Sequence, residues 1–277
     1  NKVIDAVVIS HPDEDHINGI KKILENFSVN ELYANIPWDY SDELVEKSEN
    51  YNSPDYLTSK LKKKYSSLSE IVDFCEENGI PIYSALQGTI VCEELEILAP
   101  TEEDYIDHIL NSDKNPLKPI SEAFSKAEKF NTDSWDVDNL LEVAETSDEN
   151  ETSVVLYGLR DASDKYFLLV GDAGVHDLES AFDFAEDETF SIKSDVQFYQ
   201  VPHHGGRHNL DTDTVNRLVG NITRRGTESE KTAFISVGKG SDHPRQCIIN
   251  AFKRRGVKVY KTEDNTIHHF TGDMPSR

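Results

Sequence analysis

The strongest constraint on the fold is a recurring unit: an apolar run of strand length that ends abruptly in histidine or aspartate. "IDAVVI" gives way to Ser10-His11-Pro12-Asp13-Glu14-Asp15-His16, and "FLLVG" to Asp172. "FYQVP" gives way to His203 and His204, and "FISVGKGSD" to His243. Continuous apolar runs of about four to eight residues read as strands buried on both faces. Open α/β sheets carry their functional groups at the carboxyl ends of such strands. The chain therefore reads as α/β, with polar groups delivered to one edge.

The intervening sequence fits that frame. "INGIKKILENF" has helical spacing at Ile17, Ile20, Ile23, Leu24 and Phe27. "ELYANI" reads as a second strand, and "LSEIVDFCEENG" as a helix stopped by Gly79. "IPIYSA", "TIVCE", "LEILAP", "TSVVLYGLR" and "KYFLLVGDAG" read as strands. "PRQCIINAFKRRG" reads as a helix, and "VKVYKT" and "TIHHF" as closing strands. Residues 101–150 are acidic and irregular, a helical and loop insertion suited to a lid or a partner surface.

Composition narrows the class. No run reaches the ~20 apolar residues of a membrane span, and no leader pattern opens the chain. Three scattered cysteines without a CxxC fit a reduced, cytoplasmic protein. The net charge of −24 is unevenly spread: residues 203–261 hold twelve Lys/Arg against five acids, whereas residues 1–202 hold fifteen against 44. An acidic body with one basic region suits an enzyme acting on an anion.

Imidazole and carboxylate groups collected at strand ends are ligands for Zn²⁺, Mn²⁺ or Fe²⁺. His11, Asp13, Asp15, His16, Asp172, His203, His204 and His243 form that candidate set. His108, His176, His208, His268 and His269 stand outside it and read as ordinary structural or exposed histidines.

The same residues resemble a known family. "SHPDEDHINGI" is similar to the HxHxDH signature of the metallo-β-lactamase fold, with Asp13 in place of the second histidine. That replacement resembles the β-lactamase-like domain of ComEC-like DNA-uptake proteins. "NETSVVL", "FLLVGDAG", "VPHHGG" and "SVGKGSDHP" follow in the family's order. The resemblance covers residues 1–36 and about 150–270; residues 37–149 match loosely, as an insertion within one domain spanning 1–277. It implies a four-layer αβ/βα sandwich with two divalent ions at its edge. The family has several strands before the first motif, so a preceding segment or another chain is expected to complete the sheet.

The resemblance also implies roles. His11 and Asp13 hold one ion, Asp15 and His16 the other, and Asp172 bridges them. One of His203 and His204 completes the second site, with His204 favoured, and His243 faces the reacting phosphate as ligand or proton donor. Asp13 shifts the first site towards oxygen donors and so towards Mn²⁺ over Zn²⁺. Asn150 and Ser153 stand where a third-motif histidine is usual, near substrate. A hydroxide bridging the ions would attack phosphorus, which predicts a phosphodiesterase, most simply a nuclease, acting on nucleic acid or nucleotide. Asp15, His203 and His243 are the expected catalytic groups, and Lys239, Arg245, Arg254 and Arg255 the expected substrate grip. Two alternatives stand beside it: a hydrolase of a small ester, lactam or peptide bond, and a non-catalytic interaction or sensor module of a larger assembly.

Overall fold

The computed structural model describes residues 2–48, 53–112, 135–142, 144–161, 165–263 and 266–267, without the side chains of 159–161. The chain runs β1 (Val3–Val8), α1 (Glu14–Ile17), α2 (Ile20–Asn26), β2 (Ser28–Tyr33), a 3₁₀ turn (Pro37–Tyr40), α3 (Ser41–Lys47), α4 (Pro54–Lys64) and α5 (Ser66–Asn78). Then come β3 (Ile82–Tyr83), β4 (Ile90–Val91), β5 (Leu95–Ala99), α6 (Glu102–Asn111), α7 (Asp148–Glu151), β6 (Val155–Asp161) and β7 (Lys165–Leu169). The rest is α8 (Val175–Asp187), α9 (Ile192–Asp195), β8 (Val196–Gln200), α10 (Thr212–Val219), β9 (Thr232–Ile235), α11 (Gln246–Arg254) and β10 (Lys258–Lys261).

These strands make two sheets in a mixed α/β molecule. One is parallel, in the order β1-β2-β3; the other runs β10-β9-β8-β7-β6-β5-β4. The second is parallel from β10 to β7 and antiparallel from β7 to β4.

Strand alternation explains how the sheets are covered. In β1, Val7 enters a cluster with Leu57, Leu61, Leu68, Ile71 and Tyr105 of the helices. Its neighbours Ala6 and Val8 turn to the other face, against a cluster holding Tyr33, Ile97, Val154 and Leu156, drawn from both sheets. In the large sheet Leu168 packs with Leu178, Phe182, Leu218 and Phe252 of the helices, while Leu169 joins the cluster shared by the sheets. Burial on both faces is why these strands read as unbroken apolar runs.

The second strand begins three residues earlier than "ELYANI" suggests, at Ser28, and ends at Tyr33. Asn35 leaves the ladder because its side chain takes both backbone groups of Ala85, at 2.8 and 2.9 Å. Gly79 ends α5 in the left-handed conformation (φ 69°), with Ile80 N–H donating to the Cys75 carbonyl at 2.9 Å.

Of the acidic stretch, α6 is part of the core rather than a flap: Tyr105, Ile106 and Ile109 are buried. Residues 113–134 and 143 lie outside the described residues, as does most of the expected closing strand at 266–270. Within 37–149, β3 belongs to the small sheet and β4 and β5 to the large one. No helix among the described residues is long and apolar enough to cross a membrane.

Candidate metal centre

Four loops meet at the carboxyl ends of β1, β7, β8 and β9. The first carries His11, Asp13, Asp15 and His16, the last two within α1. The second turns at Gly171 (φ +52°), where a Cβ would come 3.0 Å from that of Ser10, and delivers Asp172. The third holds His203, His204 and Gly205 at φ 47°, 54° and 80°. Left-handed backbone is disfavoured for residues bearing a Cβ, and side chains held in it cluster at functional sites. The fourth runs past Lys239 to His243 and stitches to the third through Arg245 N–H and the Gly205 carbonyl, at 3.0 Å.

Every ring of the inner set is held at Nδ1 and presents Nε2 inward. His11 Nδ1 lies 3.1 Å from Ser153 Oγ and 3.3 Å from Ser10 Oγ. The same Ser10 hydroxyl is 3.3 Å from His16 Nδ1. Asn150 Nδ2 donates to His203 Nδ1 at 2.9 Å, and His204 Nδ1 donates to the Ser236 carbonyl at 2.7 Å. Donation from Nδ1, as at His204, is how proteins orient imidazoles towards a metal, whereas the accepting Nδ1 of His203 leaves that ring's proton on Nε2.

The inward atoms face carboxylates. Asp172 Oδ1 is 3.2 Å from His16 Nε2, and its Oδ2 is 4.0 Å from His11 Nε2 and 3.9 Å from His203 Nε2. Asp15 Oδ2 is 3.0 Å from His204 Nε2 and 3.6 Å from His16 Nε2. Asp13 Oδ2 stands 3.8 Å from His11 Nε2. Two groups have the closeness of a metal site, His11/His16/Asp172 and Asp15/His16/His204. They share His16, which stands between them. Ligands at the ~2.0–2.2 Å of a tetrahedral zinc lie ~3.3 Å apart, and octahedral ones somewhat closer.

The protonation states of His11, Asp172 and Asp15 suit ligation, whereas an ion would have to displace a proton from His16. Burial, and then the adjacent His16, pushes the His11 imidazole down to about 4, leaving its lone pair available. Burial works against the Asp172 charge, yet His16 and His11 hold its carboxyl below the usual range. Asp15 behaves alike, with burial outweighed by His16 and His204. His16 is raised despite burial because Asp172 and Asp15 face it.

The buried Nε2 atoms of His11 and His16 have no hydrogen-bond partner. With Nδ1–H committed to Ser236, the His204 lone pair meets Asp15, a contact that requires a second proton or a shared cation. Unpartnered buried nitrogens facing ionised oxygens are what a divalent ion would satisfy, so the residues present fit the metal expected from the sequence.

The remaining sequence candidates fall in three places. His243 lies beside His203, with ring centroids 5.8 Å apart and planes tilted by 46°, and its pKa is lowered by burial, His203 and Arg245. Lys239 and Arg245 are exposed on the same loop. Asn150 and Ser153 are buried, at 6% and 0% exposure, and touch His203 and His11 rather than an open surface.

Arg254 and Arg255 do not line a substrate surface: they are buried. Arg255 Nη2 donates to Asp138 at 2.6 Å and to Asn216 at 2.7 Å, and Arg254 Nη1 reaches the other Asp138 oxygen at 3.5 Å. Much of the basic balance of residues 203–261 is likewise used internally. Arg217 pairs with Glu179, Asp183 and Glu186, and Lys231 donates to the carbonyls of Lys193 and Val219.

Three contributors escaped the sequence reading. Ser10 bridges two histidines. Glu151 accepts from the N–H groups of Gly174 and Asp177, at 3.0 and 3.2 Å, and so anchors α8 behind Asp172. Lys64 closes the lysine run "KLKKKY" and lines a cleft of about 340 Å³ with Asp13 and Asp15. That run was the only available signal, and it lies some fifty residues from the motif it faces. Comparison with protein-family models and with curated proteins finds no match for the chain.

Proposed function

We propose that the chain is a divalent-metal-dependent hydrolase and that its substrate is a phosphodiester. The observation that carries this reading is the convergence of four Nδ1-anchored imidazoles on three carboxylates at one sheet edge. His11, Asp13 and Asp172 would hold one ion and Asp15 and His204 the other, with His16 facing both. A mixed imidazole–carboxylate set suits Zn²⁺ or Mn²⁺. Bound there, such ions lower the pKa of water and stabilise charge on a phosphoryl oxygen.

The chain's own groups supply the rest. With Asn150 donating to Nδ1, His203 carries a proton at Nε2 and can offer it to a substrate oxygen. His243, kept neutral by its surroundings, stands beside it as a second proton carrier. Lys64 supplies positive charge in the cleft and Lys239 and Arg245 on the exposed loop that carries His243, which favours an anionic substrate.

The reading extends to the fold. Helices cover the outer face of each sheet and one apolar cluster joins the inner faces, which supports a four-layer sandwich of the metallo-β-lactamase kind, ComEC-like in its first motif. β1 is the edge of the small sheet, where a preceding segment or another chain would add strands. The burial of Arg254 and Arg255 favours a second reading on substrate size, a nucleotide or small ester rather than a long polynucleotide.

The test is hydrolysis by the Mn²⁺- or Zn²⁺-loaded chain of a chromogenic bis-aryl phosphodiester, labelled single- and double-stranded DNA, and a lactam. Asp15→Ala and Asp172→Ala are expected to abolish turnover. Wild-type rates in either variant with the same metal would overturn the assignment, and turnover of the lactam alone would overturn the substrate class.

A further inference from the structure

A second group of histidine and carboxylate side chains lies away from this centre and shares no residue with it. His108 of α6 and His176 and Asp177 of the first turn of α8 bring three ligand atoms within 4.8 Å of one another. His176 Nδ1 is 3.2 Å from Asp177 Oδ1, and His108 Nε2 is 3.5 Å from the same oxygen. Those spacings bracket the ~3.3 Å edge of a tetrahedral zinc site with bonds of ~2.0–2.1 Å. Asp148 of α7 stands behind His108, its Oδ1 3.0 Å from Nδ1. A carboxylate on the far nitrogen directs the near one at a metal.

We propose that His108, His176 and Asp177 form a second divalent-cation site of the zinc type, structural in role, which clamps α6 and α7 to the start of α8. Two observations separate it from an ordinary acidic cluster. The Asp177 side chain is fully buried, at 0% exposure, and its Oδ2 has no hydrogen-bond partner. His108 Nε2 is also buried and also lacks one. A proton on Nε2 leaves Asp177 Oδ2 without a partner, because His108 Nε2 faces the other oxygen, Oδ1, at 3.5 Å. A cation among the three that takes Asp177 through both carboxylate oxygens answers both, and water from the adjoining cleft of about 630 Å³, lined by His176 and Asp104, can complete its shell.

The clamp has a consequence for the first centre. α7 also carries Asn150, which orients His203, and Glu151, which anchors α8 just after Asp172. A cation holding α6, α7 and α8 together would fix that support without touching substrate.

The experiment is Zn²⁺ titration of the metal-stripped chain by calorimetry, with Co²⁺ absorption as a second readout. His176 is half exposed, so His176→Ala retains the fold, and Asp177→Asn preserves shape while removing charge. Each is expected to bind one Zn²⁺ fewer than wild type, or to bind that ion about tenfold or more weakly. Asp172→Asn is expected to keep the ion that His176→Ala loses, so failure of the first centre and failure of this one are distinguishable. Equal stoichiometry and affinity in wild type and His176→Ala overturn the proposal, as does an Asp172→Asn chain that binds no zinc.

Discussion

Ser153 does more at the centre than its size suggests. Its hydroxyl accepts from the Asp172 amide at 3.1 Å and meets His11 Nδ1 at 3.1 Å, tying two proposed ligands from different sheets. Removing it frees the imidazole to turn and leaves a buried amide without an acceptor. Ser153→Ala is expected to weaken Mn²⁺ or Zn²⁺ binding at this centre by about 10–100-fold and to cost about 1–3 kcal/mol of stability. Calorimetric titration and denaturant unfolding measure the two effects; unchanged affinity would remove Ser153 from the ligand support. The sequence marked Ser153 and Asn150 only through the family resemblance, as residues in the region of a third-motif histidine and so near substrate. Residue type and position do not reveal that both are buried with their polar atoms turned to histidines. The histidines and aspartates were legible for the opposite reason: so many at strand ends have no packing rationale.

At the scale of elements, the basic helix α11 separates what a sequence shows from what it hides. Three consecutive cations, Lys253, Arg254 and Arg255, sweep most of a helix circumference at 100° per residue, so some had to point inward. The structure exposes Lys253 and buries both arginines on Asp138. Charge is visible in the chain, but a partner more than a hundred residues away is not. Removing one member of a buried pair leaves the other uncompensated, so Arg255→Ala is expected to cost about 3–5 kcal/mol, read by denaturant unfolding. A soluble Arg255→Ala chain with wild-type stability would contradict that role. Lys231, just before β9, gives a pH signature. Burial, and then Lys193, lower its pKa from 10.5 to about 8. The fold thus holds this proton less tightly than the unfolded chain, which binds more protons between those values. Stability therefore rises with pH from about 8 to 10.5. Melts across that range are expected to show wild type gaining on Lys231→Met; parallel curves would refute it.

Over the whole molecule, helices α3, α4, α8 and α10 were not read from the sequence, whereas the strand order was largely legible because burial on both sheet faces writes itself as unbroken apolar runs. How two sheets of different size share one cluster was not, since Tyr33, Ile97 and Leu156 come from distant segments. The candidate centre lies across that division. His11 to His16 follow a strand of the small sheet, while Asp172, His203, His204 and His243 follow strands of the large one. An ion held by both sets binds the folded arrangement and not the separated loops, so it stabilises by mass action, about 2.7 kcal/mol at a free concentration one hundred times Kd. For a domain near this size that is a rise of roughly 5–10 °C in Tm. The measurement belongs in His176→Ala, where the second proposed site cannot contribute. Thermal melts of that variant with Zn²⁺ or Mn²⁺ at saturation, against the metal-stripped chain, are expected to show the rise. His176→Ala/Asp172→Ala is expected to lose it. If the single variant melts at the same temperature with and without metal, no ion bridges the loops, and the hydrolytic reading falls with it.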